Sequence, residues 1–224
     1  MSIVSLLREG HAIETSDRQV RVAARLHLPG VISMLAVLND VLSANECAAL
    51  IEMARPRLRP STLVDPKTGR DLVSSERQSQ GMFFRPGENE LVARIDRRLA
   101  ELTHLPAEHG EGLQILHYPE GAASAPHYDW IQPSNEANVA SIARSGQRIS
   151  TLVTYLNDVP AGGETAFPEL GWNVAPQRGS AVYFESCDPT GELYPVSVHH
   201  SLPVTAGEKW VATKWARTRP FVSA

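Results

Sequence analysis

GEGLQILHYPEGAASAPHYDW (residues 110–130) and HHSLPVTAGEKWVATKW (residues 199–215) decide how this chain folds. Within them, LQILHY (113–118) and KWVATKWA (209–216) are short runs rich in Ile, Val, Thr and aromatic residues. Branched and aromatic side chains suit a pleated, half-buried surface, so both runs read as strands. ISTLVTYL (149–156) and GSAVYF (179–184) repeat the pattern, and from Gly112 onward the chain is a succession of strands and turns. Toward the N-terminus the period changes. Residues 89–103 place Leu91, Ile95, Leu99 and Leu102 about one turn apart, as in an amphipathic helix. Ser43 followed by Glu46 has the capping-box pattern, and Ala48, Leu50, Ile51 and Met53 continue at helical spacing until Pro56 closes the helix. Residues 31–42 read as a strand before it, and 20–28 alternate loosely, as another strand could. Helices first and strands after predict an α+β fold with a β-sandwich or barrel in the C-terminal half.

The composition suits a packed core. Of 224 residues, 42% are hydrophobic and 21% charged, close to the globular average. A formal charge of -4 counts against a nucleic-acid partner, which would call for a basic stripe. Cys47 and Cys187 are too few and too far apart for a disulfide framework or a thiolate zinc site. Each is expected as a free thiol, Cys47 packed on the early helix and Cys187 near the barrel mouth. No stretch approaches the roughly 18 apolar residues of a membrane span, and the apolar run at the N-terminus is too short for a secretory signal. The expectation is a cytoplasmic protein with no membrane partner. Residues 64–81 and 131–147 are polar and turn-rich and read as surface loops, the first a candidate lid.

The chemistry begins at His127-Tyr128-Asp129. In a strand, residues two apart share a face, so an imidazole and a carboxylate would point together. Two such ligands and a distant second histidine make the facial triad of non-haem iron enzymes, with coordination positions left open. His199 or His200 could supply that histidine, but neighbours in a strand cannot both face the site. Lys209 lies on the next apolar strand, where an inward ammonium needs an anion beside it. The plainer readings are a hydrogen-bonded His-x-Asp pair at a turn, and Lys209 and Lys214 both facing solvent. Gly162-Gly163 reads as a turn rather than a phosphate cradle, since no helix follows it. Trp172, Tyr183 and Phe184 read as core, and His104, His109 and His117 as surface or supporting groups.

Taken together, 38–58, 75–83, 110–130, 148–171, 176–184 and 199–215 resemble the prolyl-4-hydroxylase family of 2-oxoglutarate/iron(II) oxygenases, over nearly all of residues 33–217. The resemblance implies a double-stranded β-helix core (a cupin-like jelly roll) in residues 112–217. Residues 1–111 would give helical and strand support and a lid loop, all within one domain spanning 1–224. It implies iron(II) on His127, Asp129 and His199, with His200 structural. The co-substrate 2-oxoglutarate would meet Lys209 and Tyr118, with Thr151 and Trp215 lining its pocket. Arg77, Ser79 and Glu111 match positions near a substrate groove. Ser124 and Arg217 stand where similar enzymes often have tyrosine and histidine, so the substrate side departs from the pattern.

The implied reaction uses O2 and 2-oxoglutarate, with ascorbate as an external reductant, and yields a hydroxylated product, succinate and CO2. No catalytic side chain beyond the metal site is implied. A carboxylate at Asp129 favours hydroxylation, because related halogenases carry a small residue there. Proline in a peptide or protein is the first substrate reading, and a free amino acid or small metabolite the second. A barrel that binds metal or ligand without turnover is the third, and the full set His127, Asp129, His199 and Lys209 argues against it.

Overall fold

The strand Lys209–Arg217 is the axis of the fold, and all of its 9 residues are buried. It lies antiparallel between Arg148–Tyr155 and Leu113–Tyr118. In this computed structural model, which describes residues 10–28, 31–64, 71–73 and 79–223, the three form the middle of a 9-stranded sheet. Beyond Arg148–Tyr155 come Ala181–Glu185, Ile32–Asn39, Gln19–Leu28 and Ala12–Glu14; beyond Leu113–Tyr118 come Gln80–Phe84 and Arg59–Pro60. The N-terminal half therefore extends the sheet on both flanks, as well as supplying helices. Gln19–Leu28 alternates only loosely because its register against Ile32–Asn39 slips between Val22 and Ala24 and again between Leu26 and Leu28. Each slip moves the next side chain to the other face.

Two helices cover one face of this sheet. Helix α1, Ala44–Ala54, starts at the expected capping box: Ser43 Oγ accepts from Glu46 N at 3.2 Å, and Glu46 Oε2 accepts from Ser43 N at 2.8 Å. It ends in a 3-10 turn, Arg55–Arg57, that contains Pro56. Helix α2, Glu90–Thr103, is capped by Asn89 and stopped by His104 in the left-handed region, φ 52. Between helices and sheet lies a core that includes Cys47, Leu50, Val92, Ile95, Leu113, Ile115, Trp210 and Ala212.

Strand alternation sends Leu116, Tyr118, Val153 and Val211 to the opposite face, where they meet Phe167, Phe184 and Val204. A second layer closes over that face. It consists of Thr165–Phe167 between Trp172–Val174 and His200–Ser201, with Ala161–Gly162 paired to Val204–Ala206. This is the double-stranded β-helix core expected of the C-terminal half. Gly162 is needed for the closure: at φ +74, a Cβ there would lie 2.2 Å from Pro203 O. Tyr183 and Phe184 are core residues, as read from the sequence.

Three expectations need correction. Residues 131–147 are not simply a loop, since they contain helix α3, Glu136–Ser145, capped by Asn135 and stopped at Gly146. The 64–81 stretch is not all loop either: Thr62–Val64 pairs with Asp71–Val73, and Gln80 opens a main-sheet strand. Arg77 lies outside the described residues. Finally, Lys209 and Lys214 do not face solvent. They sit an odd number of residues apart and are buried on opposite faces. Lys214 Nζ donates to Asp96 Oδ1 at 2.7 Å and to Glu111 O on the helix side.

Candidate metal centre and its pocket

His127, Asp129 and His199 come together, with one ligand atom from each within 4.8 Å of the others. They do so by a different route from the strand alternation expected. His127 lies outside any regular strand, and a pair of backbone bonds joins it to His199, each N–H donating to the other's carbonyl at 3.0 Å. That bridge sets the rings 4.5 Å apart, centroid to centroid. His127 Nδ1 lies 2.9 Å from Ala125 O, and His199 Nδ1 lies 3.0 Å from Ser197 O. A carbonyl requires a proton on each Nδ1, which leaves both Nε2 lone pairs turned inward. Asp129 Oδ1 is 4.0 Å from His127 Nε2, and Oδ2 is 3.6 Å from His199 Nε2.

The protonation states suit a metal. Burial pushes His199 down to about 4, so its ring is neutral near pH 7. Burial would raise Asp129, but His199, His127, Arg148 and the Thr151 hydroxyl hold it at about 2, so it is ionised. Two imidazoles and one carboxylate, with open positions, fit a divalent iron-type ion. Thr151 was expected to line the co-substrate pocket. It is instead fully buried, and its Oγ1 donates to Asp129 Oδ2 at 2.8 Å, fixing that ligand.

The triad opens on a cavity of about 600 Å³. Lys209 lies on its wall, 2% exposed, its Nζ donating to Ser201 Oγ at 2.9 Å. The ammonium sits 5.4 Å from the Tyr118 ring centroid and 5.7 Å from that of Tyr155. No carboxylate among the described residues pairs with it, and burial lowers it to about 7. An unpaired buried cation facing a metal-ligand cluster is a place made for a carboxylate. Ser201 had gone unnoticed in the sequence because a lone Ser carries no signal. His200 lies on the cavity wall but outside the ligand cluster.

Of the described substrate-side residues, the structure keeps one on the cavity. Ser124 lines it, although its Oγ already accepts from Ser201 N at 2.9 Å. Ser79 is buried behind the wall, donating to Ser61 Oγ at 3.0 Å. Glu111 and Arg217 are also buried away from the cavity, where they pair with each other at 3.0 Å. Arg148 had been missed, and it does reach the cavity. Its guanidinium lies 3.9 Å from the Trp215 ring centroid, with Nε and Nη2 on the Glu111 carboxylate at 2.7 and 2.9 Å. Arg148 Nη1 has no partner among the described residues. Two further buried atoms on the wall, Trp215 Nε1 and Gln114 Oε1, are also without one. Phe83 and Tyr128 are exposed at the mouth.

Residues 113–217 match the model of the 2OG-Fe(II) oxygenase superfamily. Among curated proteins, Arabidopsis thaliana probable prolyl 4-hydroxylase 3 is 39% identical over 198 residues, covering 80% of this chain and 67% of that protein. Arabidopsis thaliana prolyl 4-hydroxylase 5 is 39% identical over 204 residues, covering 83% and 68%. Among solved structures, a viral collagen prolyl hydroxylase from Paramecium bursaria Chlorella virus-1, in complex with 2-oxoglutarate, aligns with a TM-score of 0.63 at 29% identity, covering 81% of this chain and 94% of that one.

Proposed function

This chain belongs to the prolyl 4-hydroxylase family of 2-oxoglutarate/iron(II) oxygenases, and from that premise we propose that it hydroxylates proline within a peptide or protein. The reaction consumes O2 and 2-oxoglutarate and releases succinate and CO2. The observation that carries this reading is Lys209, a buried cation without a counter-ion among the described residues, in the same cavity as the His127–Asp129–His199 cluster.

His127, Asp129 and His199 would hold iron(II), which with O2 and 2-oxoglutarate supplies the oxidation of C–H to C–OH. Thr151 keeps Asp129 oriented. Lys209 and Ser201, with Tyr118 beside them, would take the far carboxylate of the co-substrate. Leu116 and Val211, two cross-strand pairs farther along and so on the same face, give that end of the cavity an apolar lining.

The unpartnered atoms of the wall support a peptide rather than a free amino acid. Among the described residues Trp215 Nε1 is a donor and Gln114 Oε1 an acceptor without a partner, and Arg148 Nη1 is a further donor of the same wall. They complement the carbonyls and N–H of a peptide chain, while a free amino acid would bring an ammonium for which the wall has, among the described residues, no carboxylate partner beyond Asp129. The proposal includes a cytoplasmic setting, supported by two buried cysteines without a disulfide, and ascorbate as reductant, on the family resemblance alone.

The test is to incubate the iron-loaded protein with 2-oxoglutarate and a panel of proline-containing peptides alongside free L-proline, and to follow both by mass spectrometry. A peptide that gains one oxygen at proline, with matching succinate, is the expected result. Turnover of free amino acids with no peptide hydroxylated would overturn the peptide reading.

A further inference from the structure

Arg217 is 1% exposed and touches no part of the cavity, yet it is bonded on every side. Its Nη1 donates to Glu111 Oε1 at 3.0 Å and its Nε to Gly146 O at 3.0 Å. Its Nη2 donates to Ser141 O at 3.0 Å and to Ser141 Oγ at 3.1 Å. Glu111 Oε1 is the same oxygen that accepts from Arg148 Nε at 2.7 Å. Two guanidinium groups therefore share one carboxylate, which leaves the trio with one positive charge in surplus. The carbonyls at the C-terminal end of α3, the negative end of that helix, lie against Arg217 and balance it.

We infer that Arg217 is a positioning residue: from the end of α3, and acting through Glu111, it holds Arg148 flat against Trp215 and sets its free Nη1 edge toward the substrate. The inference rests on the reading of the cavity as a proline-peptide site, because Arg148 is the group that would meet the peptide. Arg148 spans both oxygens of Glu111, and Arg217 holds Oε1 as well. Without Arg217 the carboxylate keeps only Arg148, and the pair is free to swing as a unit. The 131–147 segment, bracketed in sequence by Asp129 and Arg148, thereby gains a link to substrate binding. That link does not require the segment to line the cavity.

Arg219 provides the control. Its Nη2 donates to Ile142 O and Ala143 O at 2.7 and 2.8 Å, so it also secures the end of α3, but it makes no contact with Glu111. Arg217→Met, Arg217→Lys and Arg219→Ala would be compared with wild type in steady-state kinetics on a peptide substrate, and in crystal structures that report where the Arg148 guanidinium lies. The expected result for Arg217→Met is a peptide KM raised about tenfold, with kcat and the 2-oxoglutarate KM little changed. Succinate should also form in excess over hydroxylated product, and Arg148 should leave the face of Trp215. Arg217→Lys, which keeps a charge on Glu111, should recover part of the loss, and Arg219→Ala should behave as wild type. Equal effects from Arg217→Met and Arg219→Ala would show that loosening α3 is what matters. A folded Arg217→Met protein with Arg148 still on Trp215 would overturn the inference outright. A wild type that hydroxylates no peptide would refute the functional reading instead, and the crystal structures would still decide whether Arg217 positions Arg148.

Discussion

Lys209 brings a charge to a place where burial alone favours the neutral amine. Its folded value of about 7 lies below the ordinary 10.5. The ammonium therefore weighs against the fold in full below about pH 7, and that strain fades as pH rises toward 10.5. A dicarboxylate beside it reverses the preference. Above about pH 7, binding of 2-oxoglutarate should draw about one proton from solution. Calorimetry at pH 8 in buffers of different ionisation enthalpy should detect that uptake in wild type and none in Lys209→Met. Thr151 acts on the other partner of the site. Thr151→Val removes the hydroxyl that fixes Asp129, and iron(II) affinity should fall roughly 10- to 100-fold with little change in melting temperature. An unchanged affinity would assign Thr151 to packing. His127 and Asp129 were legible from the His-x-Asp spacing, while only the family resemblance separated His199 from His200. Thr151, Ser201 and Arg148 gain their roles only from what the fold brings next to them. Arg217 is the instructive error: its position matched a substrate-side site, but its length carries the guanidinium past the cavity to Glu111 and α3.

Among the elements, α1 and α2 are tied by a buried charge cluster that no local pattern disclosed. Arg98 of α2, 2% exposed, donates to Glu46 Oε1 at 2.8 Å, to Asp17 Oδ1 at 2.8 Å and to Val41 O at 3.0 Å. Burial would raise Glu46, but Arg98 and the Ser43 N–H bring it down to about 2. A carboxylate held below its unfolded value stabilises the fold fully above about pH 4.5, and that contribution drains away as pH falls toward 2. Arg98→Met leaves Glu46 and Asp17 with only the longer ion pairs to Arg94 and Arg18, and should cost about 3 kcal/mol in urea unfolding at pH 7. The gap to wild type should narrow at pH 3; a constant gap would mean that Glu46 is not held by Arg98. Helix α1 was legible from its capping box, and both helices from their apolar period. Helix α3 was not, because its Ala-rich face has little apolar contrast, although Asn135, Glu136 and Gly146 were start and stop signals in plain view.

On the scale of the whole molecule, the fold is a sheet whose two faces have different tasks. One packs on helices, and the other forms, with the smaller sheets, a lined cavity. The C-terminal strands announced this layout because their composition changes abruptly at Gly112. The N-terminal extension of the sheet did not, since pairing Ile32–Asn39 with Ala181–Glu185 spans a separation that no local period records. What the layout accomplishes is to place the His127–Asp129–His199 cluster and Lys209, a buried cation of the axis strand, on the wall of one cavity. The most direct test is anaerobic titration of the iron(II)-loaded protein with 2-oxoglutarate, watching for the visible metal-to-ligand charge-transfer band of a chelated keto acid. The account predicts the band in wild type, its loss in His199→Ala, and in Lys209→Met a half-saturation concentration at least about 30-fold higher. A folded, iron-loaded wild type without the band, or a band indifferent to Lys209, would contradict it.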